Sequence, residues 1–286
     1  RGVEERIDTF DEVELGLSEE QAKKEAERCL DCNICSLCKQ CVLACEAGAI
    51  DHDQREEILG REVGAVVVAT GFDLFDPKKK PEYGYVKSLR IITGLEFERY
   101  TNASGPTGGK ILIDGKEPKK VAFISCVGSR DKEGHEYCSR VCCMYTAKHA
   151  HLVRDKLPGS EVVVYYTDVR AFGKGFEEFV NKVKEEGVEY RRRELDDDIT
   201  VVPKGKGVVV KAEGHPDLKV DMVVLAAAIE PRADAKEVQN LLRIAHSPDG
   251  FLLEAHPKLR PIDTHTDGIF LAGCCQAPRD VPDTVA

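Results

Sequence analysis

The chain has 286 residues, of which 42% are apolar, enough for one large or two ordinary packed domains. Its 41 basic and 51 acidic residues give a formal charge of -10, which argues against DNA or RNA as a partner. No run of about 18 uncharged apolar residues is present, and the N-terminal segment is acidic. We therefore expect no membrane span, no signal peptide and a cytoplasmic location.

The first predicted element is a helix that leads into a run of cysteines. Residues 17–30, LSEEQAKKEAERCL, begin with a serine N-cap followed by acidic residues and good helix formers. Within the next segment, CSLCKQCVLAC has the C-x2-C-x2-C-x3-C spacing of bacterial ferredoxins and predicts a 4Fe-4S cluster. The predicted ligands are Cys29, Cys32, Cys35, Cys38, Cys41 and Cys45.

The number of clusters in this run stays open, because two cubane clusters need eight ligands and the run has six. Either one cluster is complete with two spare thiols, or ligands come from elsewhere. A structural zinc site is the alternative, but zinc sites space their CxxC pairs further apart. A disulfide framework is typical of small secreted domains and fits this chain poorly.

The segment after the cysteines predicts part of a layered α/β domain. Residues 61–72, REVGAVVVATGF, form a β-branched run ended by glycine, as in a buried strand. A loop rich in proline and glycine follows, with a predicted helix at residues 88–100.

From residue 119 strands and helices alternate, which predicts a parallel sheet. We predict strands at 121–125, 161–169, 189–195, 208–214 and 221–231, helices at 138–157, 175–188 and 235–245, and a return to the earlier domain at 268–275.

A second cysteine group lies where this βαβ unit would carry the GxGxxG of a dinucleotide site. The sequence there is SCVGSRD, so we expect NAD(P) binding to be lost. Cys126 follows the strand, and Cys138 and Cys142 would lie one turn apart on the next helix. Cys143, about 100° further round, would need a non-helical start to join them.

Four thiols at a helix N-terminus, with Arg130 and Arg140 nearby, favour a second 4Fe-4S cluster, because the helix dipole and guanidinium groups offset its negative charge. The alternative is that these are buried structural cysteines.

Four runs resemble the A subunit of heterodisulfide reductase: GAVVVATGFDLFDPKKKPEYGYV, CVGSRDKEGHEYCSRVCCMYTAKHA, DVRAFGKGFEEF and TDGIFLAGCCQAPRDVPDTVA. The resemblance implies a thioredoxin-reductase-like α/β fold of two dinucleotide domains with an inserted ferredoxin-like segment. It also implies FAD and at least two 4Fe-4S clusters, in a complex with other iron-sulfur subunits and hydrogenase or dehydrogenase subunits. Members of the family take part in flavin-based electron bifurcation in methanogens.

The resemblance further implies a domain division and site residues. The domains would be residues 1–57 (helix and ferredoxin-like segment), 58–118 (part of the FAD domain), 119–231 (degenerate nucleotide domain with a cluster) and 232–286 (return to the FAD domain). Lys148 and Glu96 match positions near the isoalloxazine ring. The alternative is that both side chains lie on solvent-exposed faces of their helices and have no role at the flavin. The FAD-contacting turns would include Thr70, Gly71, Gly273 and Cys274.

Two departures from the family pattern concern the flavin. Cys274 replaces the carboxylate that normally binds the ribityl chain. Cys274 and Cys275 could be cluster ligands, but we expect small buried thiols beside the flavin instead. No GxGxxG motif precedes Cys29, so the FAD domain is expected to be incomplete, or completed by a partner.

The leading hypothesis is therefore an electron-transfer subunit that moves electrons between FAD and 4Fe-4S clusters. One alternative is a flavin-free iron-sulfur adaptor. Another is an NAD(P)-linked oxidoreductase resembling the glutamate synthase small subunit.

Overall fold

The computed structural model describes residues 2–7, 9–13, 15–27 and 40–286. The chain divides into two compact units, Arg1–Ile58 and Leu59–Ala286. No helix in the described ranges is long and apolar enough to cross a membrane.

The described regular elements of the first unit are three short helices, with irregular segments among the other described residues. Its helices are α1 Val3–Arg6, α2 Glu19–Glu27 and α3 Gln40–Ala44. The predicted serine cap of α2 is confirmed, because the Gln21 amide donates to Oγ of Ser18 at 3.2 Å and the Ser18 amide donates to the Gln21 side chain at 2.9 Å. The predicted ligands Cys29, Cys32, Cys35 and Cys38 lie outside the described residues.

The second unit alternates strands and helices. In chain order its elements are β1 Val66–Val68, β2 Asp73–Leu74, β3 Ile91–Thr93, α4 Gly94–Thr101, β4 Lys120–Val127, α5 Cys142–Lys156, β5 Glu161–Tyr166, α6 Phe176–Glu185, β6 Glu189–Arg192, β7 Ile199–Lys204, β8 Gly207–Ala212, β9 Leu218–Val220, β10 Met222–Ala227, β11 Ile229–Glu230, α7 Ala235–Leu242, β12 Ile269–Leu271 and α8 Val281–Val285.

The main sheet is parallel, with strand order β3-β10-β4-β5-β6. β10 is buried along its whole length, and β4 is buried from Val121 onward, as expected for central strands covered on both faces. One face packs under α4, α5 and α6, where Phe97, Phe123 and Val183 are fully buried. The predicted α/β class is confirmed.

The other face of the main sheet packs against a small antiparallel meander of β7, β8 and β9. Val201, Val208 and Val220 of the meander share a core with Ile124 of β4. Two short strand pairs complete the unit: β1 with β12 in parallel, and β2 with β11 antiparallel.

Two predicted helices begin later in the chain than expected. Residues 88–100 are helical only from Gly94, because the β-branched Ile91–Thr93 segment joins the edge of the main sheet and Thr93 caps the helix. The helix expected at 138–157 begins at Cys142, so the prediction that Cys138 and Cys142 share a helix face is wrong. Arg140 has a φ of 57°, a left-handed conformation that a helix cannot include.

The strand predicted at 208–214 is present as β8, but it pairs antiparallel with β7 and β9 in the meander and does not join the parallel sheet. β7 and β9 were not predicted, because short strands on a half-exposed layer carry weak apolar runs.

Candidate iron-sulfur and flavin sites

The second cysteine group surrounds the connection from β4 to α5. Cys126 lies near the carboxyl end of β4, the end at which parallel sheets bind ligands. Its φ of 63° is unusual for a residue with a side chain and coincides with an irregularity in the pairing of β4 with β10. The connection then closes on itself, since the His135 amide donates to the Gly128 carbonyl at 2.9 Å and the Arg130 amide to the Tyr137 carbonyl at 3.0 Å.

Three of the four predicted thiols meet at this point. The thiol of Cys142 interacts with those of Cys126 and Cys143, and these interactions raise the pKa of Cys142 well above its ordinary value. Cys126 and Cys142 are buried, whereas Cys143 is partly exposed and directs its Sγ to the Asp168 carbonyl at 3.6 Å. Cys142 and Cys143 are the first two residues of α5, so the non-helical start expected for Cys143 is not present, and the non-helical backbone before the helix carries Cys138 instead.

Cys138, the fourth thiol, lies in the same connection but before the helix. Its Sγ accepts a hydrogen bond from the Arg140 amide at 3.4 Å. It also interacts electrostatically with Arg130, whose guanidinium faces Cys126 as well. Arg130 therefore links Cys138 to the other thiols by charge.

Guanidinium groups and a helix N-terminus lie near the thiols. α5 has no side-chain cap at Val141, and although the Met144 amide donates to the Val141 carbonyl at 3.1 Å, no side chain caps the positive end of the helix dipole. A hydrogen bond from Cys142 lowers the pKa of Cys126 to about 7 against the effect of burial, and Arg130 and Arg193 act in the same direction. Arg130 pairs with Asp168, and Arg140 pairs with Asp283 at 2.5 Å.

This donor set fits an iron-sulfur cluster, which is held by thiolates and carries negative charge. Within the described ranges, no group of three or more His, Cys, Asp or Glu side chains is arranged around a single metal ion. The features that support an iron-sulfur cluster at this position are the free thiols, the helix start without a side-chain cap and the nearby guanidinium groups.

The described end of the first cysteine run lies in the other unit. Cys41 is in α3 and exposed, with its Sγ 3.3 Å from Nε2 of His52. Cys45 follows the helix, and its Sγ accepts a hydrogen bond from the Ala49 amide at 3.4 Å.

The predicted FAD-contacting residues follow two adjacent parallel strands. β1 leads into Thr70 and Gly71, and β12 leads into Gly273 and Cys274. Both glycines have positive φ, 79° at Gly71 and 69° at Gly273. A Cβ at Gly71 would point into open space, so this turn leaves room for a ligand to approach the backbone.

The paired cysteines after β12 differ in exposure. Cys275 is buried and its thiol donates to the Val68 carbonyl at 3.1 Å. Cys274 is partly exposed, so the expectation of a buried thiol is wrong at this position, and its thiol donates to the Arg279 carbonyl at 3.4 Å.

Lys148 lies on α5 in a network that the sequence pattern does not reveal. Its Nζ donates to Glu98 at 2.6 Å, and the other carboxylate oxygen of Glu98 is 2.5 Å from Nε2 of His149. Glu98 and Glu96 lie on the same short helix, and the pattern GLEFER alone does not say which carboxylate faces Lys148.

Glu96 instead completes the N-terminal cap of α4. Its carboxylate accepts hydrogen bonds from the Thr93 amide at 2.6 Å and from the Tyr85 hydroxyl at 2.9 Å. Its observed contacts are thus those of a capping residue.

An apolar cavity of about 180 Å³ lies between these two regions. Phe72, which directly follows Gly71, lines it, as do Tyr145 of α5 and Leu95 of α4. Glu98 and His149 supply its polar edge. The cavity therefore joins the turn after β1 to the helix that begins at the thiols.

Comparison with known proteins agrees with the resemblance noted in the sequence. No family model matches the chain. The chain is 48% identical over 266 residues to the A subunit of the H2:CoB-CoM heterodisulfide,ferredoxin reductase of Methanothermobacter marburgensis, covering 90% of this chain and 40% of that protein. It is 49% identical over 253 residues to the second iron-sulfur A subunit of the CoB-CoM heterodisulfide reductase of Methanopyrus kandleri, covering 84% and 38%.

Solved structures show weaker likeness. The HOCl-induced flavoprotein disulfide reductase RclA of Escherichia coli is 15% identical with a TM-score of 0.44, covering 74% of this chain and 40% of that one. The water-forming NADH oxidase of Lactobacillus brevis is 13% identical with a TM-score of 0.42, covering 75% and 40%. Neither likeness is close enough to bear on function.

The topology and the turns define an α/β protein in which thiols lie at the carboxyl end of a central parallel strand, the place where nucleotide-binding domains have their glycine turn. With its curated relatives, the chain belongs to the family of the heterodisulfide reductase A subunits. It spans about two fifths of the length of those relatives.

Proposed function

We propose that this chain is an electron-transfer segment of a heterodisulfide-reductase-like oxidoreductase that moves electrons between FAD and 4Fe-4S clusters. One cluster would be held by Cys126, Cys138, Cys142 and Cys143, and at least one more by the run from Cys29 to Cys45. Thiolate-bound clusters carry single electrons, and a bound flavin supplies the exchange between one- and two-electron steps.

The observation that carries the proposal is the convergence of Cys126, Cys142 and Cys143 at the carboxyl end of β4. In a nucleotide-binding domain this position holds the glycine turn that approaches a pyrophosphate. Thiols in that place, at an uncapped helix start and among guanidinium groups, suit a cluster better than a dinucleotide. The relatives named as iron-sulfur subunits support the same assignment.

For the flavin, the proposal uses the turns at Thr70–Gly71 and Gly273–Cys274 together with the apolar cavity beyond Phe72. Lys148 pairs with Glu98, which lies at the polar edge of that cavity, and would influence the flavin by charge. Glu96 would act through the conformation of α4.

The wider setting is proposed by relationship. Relatives are named as subunits of heterodisulfide reductases that use hydrogen or ferredoxin, so we propose partner iron-sulfur and hydrogenase or dehydrogenase subunits for this chain as well. Electron bifurcation, the cytoplasmic location and the domain division at residues 57, 118 and 231 stay predictions from the sequence.

Absorption spectroscopy of the anaerobically purified chain, combined with iron and acid-labile sulfide analysis, tests the proposal. We expect a flavin band, at least eight irons per chain and bleaching of both chromophores by dithionite. Clusters without a flavin band would favour the flavin-free adaptor. Bleaching by NADH would favour the NAD(P)-linked alternative, and a protein without iron would refute the proposal.

A further inference from the structure

Arg193 is a buried cation at the edge of the cluster site. It follows β6, and only 5% of its surface is exposed. Its guanidinium donates to the Ser125 carbonyl at 3.2 Å, which places the positive charge beside the residue that precedes Cys126. Arg193 and Cys126 line the same cavity, of about 680 Å³.

This guanidinium is incompletely partnered. Its other hydrogen bond goes to the Glu194 carbonyl at 3.3 Å, and its Nε has no hydrogen-bond partner in the described part of the chain. A buried charge held only by carbonyl oxygens is costly unless an anion lies nearby.

Acidic side chains also line this cavity, but among the described residues none forms an ion pair with Arg193. Asp131 pairs with Lys80 at 2.8 Å, and Asp197 accepts a hydrogen bond from the Glu194 amide at 2.6 Å. Arg193 instead contacts the backbone of Ser125, directly before Cys126, and lines the same cavity as Cys126. The negative charge that would balance this guanidinium is therefore that of the Cys126 thiolate, together with the cluster proposed to bind there.

We propose that Arg193 is the resident counter-charge of the cluster bound at Cys126, and that it raises the reduction potential of that cluster. The inference rests on the proposed function. One-electron reduction adds a negative charge to the cluster, so a fixed cation nearby stabilises the reduced form more than the oxidised form. Arg130 and Arg140 already have carboxylate partners, so their net effect on the cluster is smaller.

A purely structural role is the competing explanation, because Arg193 also ties the end of β6 to the end of β4. Charge and hydrogen bonding are separated by two variants: R193Q removes the charge but keeps an amide donor, whereas R193K keeps the charge but loses the planar fork. R192Q is the matched control, since the Arg192 side chain is 64% exposed and pairs with Glu194 at 3.0 Å.

The experiment is redox titration of the full chain, monitored by electron paramagnetic resonance. The signal of the Cys126 cluster is assigned as the one that C142A removes. For R193Q we expect about a tenfold fall in the ratio of reduced to oxidised cluster at fixed potential, which is about 59 mV for a one-electron couple. R193K and R192Q should stay close to the wild type.

An intact cluster with unchanged potential in R193Q would overturn the inference. If R193Q fails to assemble the cluster, R193K separates the two explanations. A wild-type reduction potential in R193K supports the counter-charge, whereas loss of the cluster in R193K as well would show that Arg193 has only a structural role. A wild-type chain with no signal that C142A removes would refute the proposed function itself.

Discussion

His149 on α5 is a buried imidazole that shares the carboxylate of Glu98 with Lys148. Its protonation state affects the stability of the folded chain. Only 2% of its surface is exposed, and Nδ1 has no hydrogen-bond partner among the described residues. Burial lowers the pKa of His149 below its ordinary value of 6.5, against the opposing effect of Glu98, while Lys148 acts in the same direction as burial. The folded state therefore favours the neutral ring, with Nε2 as the donor to Glu98.

The lowered pKa of His149 determines the direction in which the stability of the chain changes with pH. Between the lowered pKa and 6.5 the unfolded chain binds more protons at this position than the folded chain, so stability falls as the pH falls below about 6.5. In H149Q, an amide can donate to Glu98 without titrating. We expect its free energy of unfolding, measured with urea at pH 7 and pH 5, to fall less than that of the wild type.

The exposed His265 provides the control, because H265Q should keep the wild-type pH dependence. Equal pH dependence in H149Q and the wild type would show that His149 does not titrate as its burial requires.

At the scale of elements, the connection from β4 to α5 depends on one glycine. Gly128 has a φ of 77°, and a Cβ there would lie 2.4 Å from the ring of Phe75, which is itself buried. The ring also makes an edge contact with His135, whose amide closes the connection onto Gly128. The placement of Cys126 and Cys138 thus relies on the absence of a side chain at this position.

We expect G128A to lower the free energy of unfolding by about 1–3 kcal/mol, because the alanine combines a left-handed backbone with a steric clash. Urea denaturation measures the change. G159A is the matched control, since Gly159 has no positive φ and no atom within 4 Å of its Cβ position. A similar loss in both variants, or none in either, would contradict this account.

Much of the second unit could be predicted from β-branched runs alternating with helical periodicity, because such runs specify buried parallel strands. The start of α5 could not be predicted, because residues 139–141, SRV, are compatible with a helix by their sequence. Only the left-handed backbone of Arg140 in the structure shows that the helix begins after them. The thiol grouping was accessible from the position of Cys126 after a strand. Glu98 and Arg193 were not, because their roles depend on contacts between residues distant in sequence.

At the scale of the whole molecule, the cysteines that carry the proposal are divided between two compact units. Cys41 and Cys45 belong to the first unit, and the thiols around β4 belong to the second. If each unit holds its own cluster, loss of one should leave the other intact. The family relation covers both units, since it extends over 90% of the chain.

Iron and acid-labile sulfide per chain in C142A, compared with the wild type, test this central claim most directly. C275A is the control, because Cys275 is a buried thiol of the same unit that contacts the Val68 carbonyl rather than the thiol group. We predict that C142A loses about four irons and four sulfides while the remaining cluster signal persists, and that C275A loses none. Unchanged iron in C142A would contradict a cluster at the carboxyl end of β4.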